Sequence, residues 1–337
     1  MSELIRRVLS VGAAPAHEEV DDPVTPTVLR YRVLLAAIAL YLLWRRHTAP
    51  AISLARPWGP RWLAALTGLA FSELLRVVGR IPVATLKPPS KGVDDSKQHV
   101  VVWHPHGALT TMAFMHCGYH SVMKQPLTWF PGIAPVLFNV PFLRETTLLL
   151  NARAVSGKVM EKLASAGLNV GVQPGGIPEQ LQSDHRREIA VFPPNLGFVR
   201  LAMRHGAALL PAYIFGENQA YTTYDVGRRA TQKLFRMLGV VVPIMTGRWG
   251  LPWLVPNKVD IHVCWGNAVS VGPANATPTD AQVEEVFGRY CAELLRVFDE
   301  NKDACLPPEV AARGLTIVRR ETPASASKAA AVGGAKL

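Results

Sequence analysis

Two imidazoles separated by one residue, in the tetrapeptide His104-Pro105-His106-Gly107, close an apolar β-like run, His99-Val100-Val101-Val102-Trp103. They open onto a helix-like stretch, residues 108–115. Imidazole has the unperturbed pKa that suits proton transfer near neutrality. Pro105 fixes its own φ and biases His104 toward an extended conformation, so the strand is expected to run to His104 and break there. Gly107 admits close approach of backbone or substrate. The same four residues also read as a turn bearing two solvated histidines. A metal site could be drawn from them, or from His116 and His120 at i, i+4 spacing, but no H-E-x-x-H and no third ligand is evident, so no metal is expected.

The second informative segment is Val170-Gly171-Val172-Gln173-Pro174-Gly175-Gly176-Ile177-Pro178-Glu179. A strand that stops at Pro-Gly-Gly exposes consecutive backbone N–H groups at Gly175 and Gly176, donors suited to an oxyanion or a phosphate. Glu179 follows within reach of the same pocket, and the plain alternative is a tight turn with a surface glutamate. The third segment, residues 197–218, reads as a helix ending at Gly206, a strand over Ala208–Phe215, and a loop carrying Glu217 and Asn218. Those two residues either line an acceptor pocket or clamp the loop. No G-x-S-x-G occurs, so a serine hydrolase built on a nucleophile elbow is not expected.

The elements that must position these groups follow from the apolar pattern. Candidate strands are His99–Trp103, Asn169–Gln173, Ala208–Phe215 and Val259–Cys264, with helical segments after the first three, which reads as α/β. Near the end, Thr277-Pro278-Thr279-Asp280 offers an N-cap with Pro at N1 and an acid at N3. Val283, Phe287, Tyr290, Leu294 and Phe298 then recur at helical spacing. Of the 337 residues, 49% are hydrophobic and 18% charged, and the mean hydropathy is +0.15. That is apolar against the roughly 25% charged residues of an ordinary soluble chain.

The apolar excess lies toward the N-terminus. Val33–Trp44 is uncharged and flanked by Arg30, Arg32, Arg45 and Arg46, and a second run, Trp62–Phe71, is shorter. Twelve helical residues reach about 18 Å, short of a hydrocarbon core of about 30 Å. The two runs are therefore expected to form a helical hairpin embedded in or lying on one leaflet. The boundaries read as a disordered cytosolic tail at 1–27, that hairpin at 28–80, a catalytic domain at 98–312 and a disordered tail at 313–337. A net charge of +11 favours polyanions. The basic residues are scattered and no nucleic-acid signature is present, so nucleic acid is not an expected partner. The four cysteines are widely spaced, as in a reducing compartment. The terminal Ala335-Lys336-Leu337 is one residue from a peroxisomal address.

His-Pro-His-Gly, Pro-Gly-Gly-x-x-Glu, Gly-Phe-x-x-x-Ala-x-x-x-Gly and Phe-Gly-Glu-Asn, in this order, resemble the type 2 diacylglycerol acyltransferase family, which includes monoacylglycerol and wax-alcohol acyltransferases. The likeness runs from about residue 100 to 306, and the Pro-Gly-Gly form is like that of plant and algal members. The resemblance implies a glycerolipid-acyltransferase-like mixed sheet flanked by helices, with N-terminal membrane-associated helices. It implies transfer of a fatty acyl group from acyl-CoA, a substrate rather than a cofactor, to diacylglycerol. The setting it implies is the cytosolic face of the endoplasmic reticulum and lipid droplets, with plastid envelope or peroxisome as alternatives and a homo-oligomer possible. The family's histidine motif falls on His104 and His106, and its glycine-glycine-glutamate element on Gly175, Gly176 and Glu179. Related acyltransferases carry Asp five residues after the histidine. Here those positions are Leu109 and Thr111, so Glu179 is expected to orient the base, taken as His106, with His104 placing it or the acceptor. Pro105, Gly107, Glu217 and Asn218 complete the expected pocket. Asn195-Leu196 and Gly157 stand where family members carry basic residues, so Lys158, Arg153, Arg200 or Arg204 would hold the CoA phosphates. Monoacylglycerol or fatty alcohol as acceptor, and a non-catalytic lipid-binding coat, are the alternatives.

Overall fold

The computed structural model describes residues 24–77, 83–87, 93, 96–110, 127–224, 231, 244–252 and 255–321, and the chain divides into two units, Met1–Pro50 and Ala51–Leu337. In the first, helix α1 (Val24–His47) places Arg45, Arg46 and His47 in its last turn, where cations complement the helix dipole. Val33, Leu34, Leu35, Ile38, Leu40, Leu42 and Leu43 are all exposed, so its apolar surface runs round the helix rather than along one stripe. No described helix is long and apolar enough to cross a membrane.

In the second unit, α2 (Arg61–Val77) turns Phe71 toward a cluster with Ala51, Phe138, Leu148 and Leu150, while Trp62, Leu66 and Leu69 on another face are exposed. Because α2 packs with α3 (Leu143–Leu149), residues 28–80 are not a unit of their own. The remaining helices are α4 (Gly157–Ser165), α5 (Gly176–Gln180), α6 (Gly197–His205), α7 (Asp280–Cys305) and α8 (Pro308–Ala311).

The strands are β1 (Val83–Lys87), β2 (His99–His104), β3 (Trp129–Ile133), β4 (Arg153–Ala154), β5 (Asn169–Val172), β6 (Glu188–Phe192), β7 (Ala208–Phe215), β8 (Thr222–Thr223), β9 (Met245–Thr246), β10 (Ile261–Trp265) and β11 (Leu315–Arg319). A seven-stranded sheet runs β1-β10-β7-β2-β5-β3-β4. β7, β2, β5, β3 and β4 are mutually parallel, and β10 is antiparallel to β7. β2 is buried on both faces, which its continuous valine run requires. Val100 and Val102 face a cluster containing Phe192, Phe198 and Tyr290 from β6, α6 and α7. Val101 and Trp103 face the other way, onto Trp129 and Trp265. β5 carries Gly171 because a Cβ there would come within 2.2 Å of the Trp129 ring.

All four expected strands are present, with β2 ending at His104 as its proline dictates. β1, β3, β6 and β11 carried too weak an alternation to be read. Two boundaries move as a result. The sheet begins at β1, upstream of residue 98, and β11 lies inside the expected C-terminal tail, where it pairs in parallel with β6. The N-cap of α7 is Thr279 rather than Thr277. Its side chain accepts from the Gln282 N–H and the Gln282 side chain returns to the Thr279 N–H, a reciprocal box that Thr277 lacks. The expected helix over 108–115 falls largely outside the described residues, as do His116 and His120.

Candidate active site

In open α/β sheets ligands bind outside the carboxyl ends of the strands, and here the three sequence motifs meet at those ends of β2, β5 and β7. His104 continues the alternation of Val100 and Val102, so its ring turns into the sheet face and lies 4.9 Å from the Phe192 ring. Its Nδ1 stands 3.1 Å from Glu179 Oε2 and 3.3 Å from Oε1. The same buried carboxylate accepts the His106 N–H at 2.5 Å and the Val191 N–H at 2.8 Å. One side chain on α5 thus ties together the end of β2, the turn after it and β6. His104 Nε2 is buried and has no hydrogen-bond partner among the described residues.

Glu179 was expected to orient the His106 imidazole. It engages the His104 imidazole instead, and holds His106 by the main chain. Pro105, which follows a cis peptide, ends the strand, so the second imidazole leaves the face that Glu179 occupies. The half-buried His106 ring has its Nδ1 3.3 Å from the Gly107 carbonyl. A proton on Nδ1 donates there and leaves the Nε2 lone pair available. Burial holds the His106 pKa below its usual 6.5, against the opposing pull of the Glu179 charge.

The glycines serve this geometry by making room. A Cβ on Gly175 would lie 2.0 Å from Glu179 Oε2, so the Gly-x-x-x-Glu spacing exists for the carboxylate to fold back over the turn. Gly176 has φ +49 and its N–H donates to the Gln173 carbonyl at 3.2 Å, so one of the two expected oxyanion donors is already committed. Gly107 has φ +70, and a Cβ there would sit 2.8 Å from Glu217 Cγ. Gln173, unmarked in the sequence reading, donates to the Pro105 carbonyl at 3.2 Å and accepts from Thr110 Oγ1 at 2.9 Å. Gln180 donates to the Ala108 carbonyl at 2.9 Å.

Asn218 acts within the loop: its amide donates to Glu188 Oε2 at 2.7 Å and its carbonyl accepts from Ser183 Oγ at 3.1 Å. Glu188 was also missed. It also accepts from Tyr213 Oη at 2.7 Å and Gln219 Nε2 at 2.8 Å, and burial pushes its pKa up to about 7 despite those donors.

Of the basic candidates, Arg200 is paired with Asp280 and Arg204 with Glu161. Arg153 is buried, its guanidinium donating to the carbonyls of Leu54, Ala152 and Arg56. That leaves Lys158, exposed at the start of α4, without an ion pair among the described residues. Among the described residues no group of three His, Cys, Asp or Glu side chains is placed to hold a metal ion.

A family model described as diacylglycerol acyltransferase matches residues 81–310. The 2-acylglycerol O-acyltransferase 1 of Bos taurus is 29% identical over 236 residues, 64% of this chain and 69% of that protein. Diacylglycerol O-acyltransferase 2 of Dictyostelium discoideum is 27% identical over 232 residues, again 64% and 69%. Acyl-CoA wax alcohol acyltransferase 1 of Homo sapiens is 30% identical over 237 residues, 66% and 71%. Among solved structures, the 1-acyl-sn-glycerophosphate acyltransferase of Thermotoga maritima aligns with a TM-score of 0.40 and 14% identity, covering 78% of this chain and 97% of that one.

Proposed function

This chain belongs to the diacylglycerol acyltransferase family, and we propose on that premise that it makes triacylglycerol by moving a fatty acyl group from acyl-CoA to diacylglycerol. The observation that carries the reading is the buried Glu179 carboxylate, which fixes the His104 ring and the His106 main chain together at one strand end. A purely lipid-binding coat has no use for a buried carboxylate locked onto a two-histidine turn.

His106 is the general base. Its Nε2 takes the proton from the acceptor hydroxyl as that oxygen attacks the thioester carbonyl carbon. The tetrahedral intermediate collapses with cleavage of the C–S bond, and the imidazolium returns the proton to the CoA thiolate. A thiol of pKa near 8.5 leaves readily, so no strong acid is needed. No acyl-enzyme forms. His104 and Glu179 hold the base in place, the Gly175 N–H is the remaining backbone donor for the oxyanion, and Lys158 serves the CoA phosphates. The exposed apolar surfaces of α1 and α2 support a lipid-facing role, on the endoplasmic reticulum or lipid droplets, where the acceptor is dissolved.

The test is labelled acyl transfer to diacylglycerol, monoacylglycerol and fatty alcohol in membranes of a host without its own triacylglycerol synthesis. Triacylglycerol from the wild type, lost in His106→Ala and Glu179→Ala, is the expected result. Product formed only with monoacylglycerol or alcohol would reassign the acceptor, and no product from folded protein with any of the three would overturn the catalytic reading.

A further inference from the structure

Glu188, at the start of β6, is a second buried carboxylate beside the site, only 2% exposed and with no ion pair among the described residues. Burying an uncompensated carboxylate is costly, and an apolar or amide side chain would fill the position at less expense. The retained carboxyl gathers three donors instead: Tyr213 Oη and Asn218 Nδ2 on Oε2, and Gln219 Nε2 on Oε1.

These donors come from the elements that flank the histidine turn. Tyr213 is the register partner of His104 across β2 and β7. Asn218 and Gln219 follow Glu217, whose Cγ lies 2.8 Å from where a Cβ on Gly107 would stand. Ser183 Oγ donates to Asn218 Oδ1 at 3.1 Å, which fixes that amide with its nitrogen toward Glu188. The carboxylate therefore grips both neighbours of His104-Pro105-His106-Gly107, the strand beside it and the turn against it.

We propose that Glu188 is a positioning residue for acyl transfer: through Asn218 and Gln219 it presses Glu217 against Gly107, and through Tyr213 it steadies the strand next to His104, which together fix the station of the His106 ring. The assignment rests on the acyl-transfer reading above. It predicts a loss in turnover and not in binding or folding, since the Glu188 carboxyl is buried and bonded to Tyr213, Asn218 and Gln219.

The experiment uses the full chain in detergent micelles, with steady-state transfer from acyl-CoA and thermal melting measured for wild type, Glu188→Gln, Asn218→Ala, the double variant and Thr279→Ala. Thr279 caps α7 away from the turn and serves as a control for lost stability. Glu188→Gln is expected to lower kcat at least tenfold with both KM values within twofold of wild type, and the double variant to be no more than twofold worse than the weaker single one. Thr279→Ala is expected to melt earlier and keep its kcat. If Glu188→Gln does not fold, Ser183→Ala replaces it, with kcat expected to fall several-fold at an unchanged melting temperature. An active wild type with unchanged kcat in the folded variant, or losses that follow melting temperature across the whole set, overturns this assignment alone. Absence of product from the wild type with every acceptor overturns the acyl-transfer reading itself.

Discussion

The Glu179 carboxylate accepts from two backbone N–H groups and one imidazole, so small changes beneath it are amplified. Gly175 has φ −68, a value open to any residue, and only the space occupied by Glu179 demands glycine there. Gly175→Ala should therefore leave the fold intact by circular dichroism while displacing the carboxylate, with kcat falling about 10²-fold, the scale of an ångström misplacement in an active site. Near-native turnover would show that Glu179 does not order the turn. His106 gives a second readout. Burial lowers its pKa, so the neutral, base-competent form persists below pH 6.5. kcat/KM should be flat through neutrality and fall only as the pH drops through that lowered value, since this ratio reports the free enzyme. An acid limb centred above 6.5 would point to a different base.

Among the elements, β4 shows how a two-residue strand can organise what lies outside the sheet. Arg153 donates from Nε to the Leu54 carbonyl at 2.8 Å and from its terminal nitrogens to Ala152 at 2.6 Å and Arg56 at 2.5 Å, with its guanidinium 5.1 Å from the Phe130 ring centre. Burial brings its pKa down to about 10, still well above neutrality, so it remains a cation. The segment it holds leads into α2, so this arginine sets where that helix starts against α3. Arg153→Leu would leave those carbonyls without donors and should cost roughly 2–4 kcal/mol of stability, read by chemical denaturation. A variant as stable as the wild type would mean that the loop finds other donors. The pairing of β11 with β6 has a similar reach, because β6 also carries Glu188 and the Val191 N–H that meets Glu179.

For the whole molecule, the division after Pro50 separates α1 from the unit that contains every site residue. A protein with residues 1–50 removed is expected to melt within a few degrees of the full chain. Its co-sedimentation with phosphatidylcholine vesicles should be weaker, because the exposed apolar side chains of α1 go with the deleted segment. Undiminished vesicle binding would transfer the lipid contact to the remainder, where the Trp62, Leu66 and Leu69 face of α2 is the surface to test.

The amino-acid sequence by itself determined the α/β class, the central strands and the residues that meet at the site, because valine runs, punctuating prolines and glycines, and the two-histidine spacing are local patterns. It also carried the family, through four motifs in order. What it could not decide was which imidazole receives Glu179, since the answer depends on the side of β2 from which each ring departs. Nor could it show that the Pro-Gly-Gly turn makes room for a carboxylate, that Arg200 and Arg204 are held by Asp280 and Glu161, or that Glu188 gathers Tyr213, Asn218 and Gln219. Each of these is a contact between segments remote in the chain, and a side chain's partner across such a distance is fixed only when the strands have chosen their order and register.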